Sequence, residues 1–67
     1  MDETWEVWVT SYRENERVTY PLEAFDNPVE ALMLFKDCVK NIDEGGGLIE
    51  VHAAKNSSLF ASYPTFH

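Results

Sequence analysis

The first apolar run, "TWEVWVTSY" at residues 4–12, alternates in a way that predicts a β-strand. Trp5, Val7 and Val9 fall on one face, while Trp8 and Tyr12 fall on the other. "RENER", residues 13–17, contains no apolar side chain and reads as a hairpin loop. "VTYPL", residues 18–22, alternates again through Val18, Tyr20 and Leu22. Pro21 has no N–H for a ladder, so this second strand is expected to be short and to lie at an edge.

The period then changes to that of a helix. In "FDNPVEALMLFKDCVKNIDEGGG", Asn27 is a natural N-cap, Pro28 suits the first helical position and Glu30 stands at capping-box spacing. No breaker interrupts residues 28–42, and the glycines at 45–47 end the element. At about 100° per residue, Ala31, Leu32, Leu34, Phe35, Cys38, Val39 and Ile42 form one broad apolar arc. Glu30, Lys36, Asp37, Lys40 and Asn41 lie opposite, and Met33 falls among them.

"LIEVHAA", residues 48–54, predicts a strand with Ile49, Val51 and Ala53 on one face and Leu48, Glu50, His52 and Ala54 on the other. "KNSS" is a polar turn and "LFASY", residues 59–63, is its hairpin return. Residues 64–67 read as a tail whose Phe66 is placed to tuck against the body. The pattern is ββαββ, or βαββ without the second strand. It predicts one small α+β domain over residues 1–67: a two-layer fold with a small antiparallel sheet of three or four strands and one helix packed on one face. The helix arc should cover Trp5, Val7, Val9, Ile49, Val51 and Ala53. The second face is left to Glu6, Trp8, Tyr12, Glu50 and His52.

Charge narrows the possible partners. Twelve acidic residues against five basic ones give a net charge of −7. Phosphate backbones and anionic lipid need neutralising Lys and Arg, so direct nucleic-acid or membrane binding is not expected. A protein partner with a basic surface is the complementary case. The acidic start "MDETWE" is unlike the basic leader of a secreted chain, and one unpaired cysteine suits a reducing compartment, which together point to the cytoplasm.

The search for reaction chemistry yields little. Cys38 lies in the apolar arc, where burial raises a thiol's pKa and quiets it. No serine stands in a G-x-S-x-G elbow, and "DEGGG" follows a helix rather than leading into one, the reverse of a phosphate loop. With Cys38, His52 and His67 as the only soft ligands and no paired spacing among them, neither a metal nor another cofactor is expected. Glu6 and Glu50 become cross-strand neighbours on the open face if the first and third strands pair.

Recognition is better supported. Trp8 and Tyr12 are aromatics on the face a single helix leaves bare, the residue types that anchor interfaces. His52 shares that face with Glu6 and Glu50. Met33 offers an adaptable contact on the charged side of the helix. Asp43 and Glu44 crowd the helix C-terminus, where the macrodipole disfavours negative charge by roughly 0.3–1 kcal/mol, while Asp37 extends the acidic surface. These nine residues are the candidate partner-binding set. In size, acidity and aromatic content the chain is similar to phage-encoded inhibitors of bacterial defence and host machinery, anti-CRISPR proteins among them, a likeness of composition and not of motif. It implies a non-catalytic inhibitor or modulator of a larger, basic, nucleic-acid-handling protein. The alternative is a homodimeric regulatory or scaffold domain joined through the open sheet face.

Overall fold

Two β-hairpins flank one helix. The computed structural model describes residues 3–65. Strands β1 (Trp5–Arg13) and β2 (Glu16–Phe25) form the first hairpin, and β3 (Leu48–Lys55) and β4 (Ser58–Tyr63) the second, with α1 (Pro28–Asp43) between them. The sheet is antiparallel in the order β2-β1-β3-β4, so the middle strands come from different hairpins. The α+β reading holds, and the helix starts at Pro28 as expected and ends one residue beyond the expected 28–42.

Both hairpins turn on two residues with positive φ: Glu14 (53°) and Asn15 (69°), then Asn56 (50°) and Ser57 (69°). Such paired left-handed residues match the right-handed twist of the flanking strands. The expected five-residue loop over 13–17 is therefore corrected. Arg13 ends β1, and Glu16 and Arg17 already belong to β2, because polar side chains are compatible with an exposed hairpin end. The second strand lies at an edge as expected, but it is ten residues long rather than short. A bulge accommodates Pro21: Val7 faces Glu23 and Trp8 faces Pro21, leaving Leu22 unpaired.

Asn27 caps α1 by accepting the Glu30 N–H at 3.0 Å. At the other end, the Gly46 N–H donates to Asn41 O at 2.8 Å and the Gly45 N–H to Ile42 O at 3.1 Å. That pair of bonds is a Schellman closure, and Gly45 (φ 71°) supplies its left-handed residue.

Val7, Val9 and Val51 are fully buried under α1 and meet its Ala31 and Cys38. Each sealed valine contributes about 1.5–3 kcal/mol. Trp5, Tyr20, Phe25, Leu34, Phe35, Val39, Ile42, Leu48 and Tyr63 pack around them. Leu48, not Ile49, joins this core. A bulge between the Thr10–Glu50 and Ser11–Leu48 pairs leaves Ile49 opposite no partner, which corrects the expectation that Ile49 packs under the helix and Leu48 on the other face. Pro64 and Thr65 stay attached to the sheet end, Thr65 Oγ1 donating to Ser62 O at 2.9 Å. The expectations for Phe66 and His67 lie outside the described residues.

Candidate functional site: two unlike edges and a polar sheet face

On the face away from α1, register brings Glu6, Trp8, Thr10 and Tyr12 of β1 beside Glu50 and His52 of β3. Five of the nine candidate residues therefore share one surface. Its centre is a side-chain network that ties all four strands together. Arg17 of β2 pairs with Glu50 at 2.5 Å. His52 Nε2 lies 3.4 Å from Glu50 Oε1 and 3.3 Å from Thr10 Oγ1. His52 Nδ1 lies 2.8 Å from Ser62 Oγ of β4, and the Thr10 and Thr19 hydroxyls meet at 2.7 Å. Thr10 is only 1% exposed although it faces away from the helix. Hydrogen-bonded side chains, rather than a second layer, cover the middle of this face.

This cover changes the standing of Trp8. It lies half-buried between its cross-strand neighbours Pro21 and His52, and its Nε1 donates to Glu6 Oε1 at 3.4 Å. Tyr12, near the end of β1, remains 65% exposed. Glu6 stands opposite Ala54 and Glu50 opposite Thr10, so the two carboxylates are four positions apart along the strands and do not form a pair. The possibility that they are neighbours is corrected.

The Arg17 hydrogen bond is the main reason Glu50 ionises below the ordinary carboxylate range, with burial opposing it. The same bond raises Arg17. Ser62, His52 and Glu50 are connected in the order of a nucleophile relay. Glu50, however, is committed to Arg17, and the molecule's apolar groove opens on the other side of the sheet. Among the described residues there is no cluster of three or more metal-ligating side chains and no helix long and apolar enough to cross a membrane.

The other four candidates lie elsewhere. Met33, 63% exposed, and Asp37 stand on exposed turns of α1. Asp43 accepts a hydrogen bond of 2.5 Å from the Tyr63 hydroxyl, which raises the phenol's pKa and ties the helix end to β4. The acid at the helix terminus thus has a local partner. Glu44 is exposed at the C-cap. Cys38 is 4% exposed, and burial raises its thiol, with the Asp37 charge adding to the shift.

The pattern of alternation gave no sign of the groove. Trp5, Ala31, Leu32, Phe35, Phe60 and Ala61 line an apolar channel of about 230 Å³ between α1 and the β3–β4 hairpin. A third bulge creates it. Ala53 pairs with Ala61 and Ala54 with Leu59, so Phe60 is the extra residue. Strict alternation would send Phe60 to the polar face. Instead its ring meets Trp5 edge-to-face on the helix side, with centroids 5.8 Å apart. Leu32 and Phe60 remain 56% and 59% exposed. Trp5 also lies 4.9 Å under Lys55 Nζ, and its own Nε1 is buried without a hydrogen-bond partner among the described residues.

Charge divides along the same axis. Pro28, Leu32 and Phe35 recur at helical spacing on the groove flank of α1, so Glu30 and Asp37 fall on the opposite flank, toward β2. Glu16, Glu23 and Asp26 are exposed on and beside β2. Among the described residues only Glu3 and Glu50 have a Lys or Arg partner. The β2 margin collects these carboxylates, and the groove margin exposes Leu32 and Phe60. Comparison of the chain with protein-family models, curated proteins and solved structures finds no match.

Proposed function

We propose that this chain is a non-catalytic binding protein that inhibits or modulates a larger protein with a basic, nucleic-acid-handling surface. The observation that carries this reading is the collection of Glu16, Glu23, Asp26, Glu30 and Asp37 along the β2 margin, exposed and without cation partners among the described residues. Because a strand and a helix carry most of these carboxylates, binding a basic groove needs little ordering of the backbone beneath them. The summed field of a chain at −7 speeds encounter with such a groove. Tyr12, at the far end of the polar face, adds an exposed aromatic contact.

The experiment is capture with the immobilised chain, followed by challenge with duplex DNA and with salt. A captured protein with a basic nucleic-acid-binding surface should be released by the DNA and by a few hundred millimolar salt, where the Debye length falls below about 8 Å. Reversing Glu23, Glu30 and Asp37 to lysine together should abolish capture while circular dichroism stays unchanged. Capture that survives both the reversal and the salt would reject this reading.

A further inference from the structure

We draw no further inference here: the strongest candidate, the apolar groove between α1 and the β3–β4 hairpin, is an unpartnered face and nothing in the structure shows what covers it.

Discussion

Truncating Val51 and Leu32 to alanine separates a sealed core from an open groove. Both positions belong to apolar stretches, yet Val51 is 0% exposed and Leu32 is 56% exposed. Val51→Ala removes two methylene equivalents at about 0.8 kcal/mol each, roughly 1.6 kcal/mol of transfer energy. Its paired neighbours Val9 and Tyr63 are fixed by the ladder and cannot collapse, so a cavity term of about 1 kcal/mol adds to that loss. The total is about 2.5 kcal/mol. Leu32→Ala removes three carbons, about 2.4 kcal/mol if they were fully buried, and less than half of that applies. No new void forms because the groove is already open, and alanine's helix propensity returns a few tenths. The net loss is about 0.5–1 kcal/mol.

A domain of this size holds roughly 3–10 kcal/mol in all. At about 4–8 °C per kcal/mol, Val51→Ala should lower Tm by about 10–20 °C and Leu32→Ala by about 2–8 °C. The assay is thermal and urea unfolding followed by circular dichroism at low micromolar concentration. A Leu32→Ala variant as unstable as Val51→Ala would mean that the groove is closed in solution. Val51→Ala losing under 1 kcal/mol would deny the sealed core.

Three further outcomes follow from the polar contacts. Thr10→Val removes the buried hydroxyl that bonds Thr19 and should lower stability by about 1 kcal/mol in urea unfolding; a neutral result would mean that water replaces the bond. Because Arg17 keeps Glu50 ionised to lower pH in the folded chain than in the unfolded one, their contribution is present above the ordinary glutamate pKa of about 4.3. It fades as pH falls through the lower folded value. Glu50→Gln should therefore flatten that part of the acid-unfolding curve, and an unchanged curve counts against the bond. Tyr63, raised by its hydrogen bond to Asp43, should titrate later than an ordinary phenol near 10 in phenolate absorbance, and Asp43→Asn should bring it back down. A tyrosine spectrum identical in the two proteins would remove that contact.

The sequence by itself determined the elements and their faces wherever alternation ran unbroken. The Asn27–Pro28 start and the glycine stop bound α1, because caps and left-handed residues act within a turn of the chain. Val7, Val9 and Val51 were legible as core from period alone, and Cys38 from its place in the helical arc. The grouping of Glu6, Trp8, Tyr12, Glu50 and His52 on one face was legible for the same reason.

Only the tertiary structure decided what the three bulges did. Each slips the register by one residue, and with a two-residue period one slip sends a side chain to the opposite face. That is why Leu48 replaces Ile49 in the core, why Pro21 fits within a long strand and why Phe60 lines a groove on the helix side instead of lying on the polar face. Strand order, likewise set by long-range pairing, joined Arg17, Glu50, His52 and Ser62 into one network and put Glu16 and Glu23 on an outer strand. Local propensity acts over a few residues, whereas register and strand order follow from how whole faces pack, which no single stretch of the chain records.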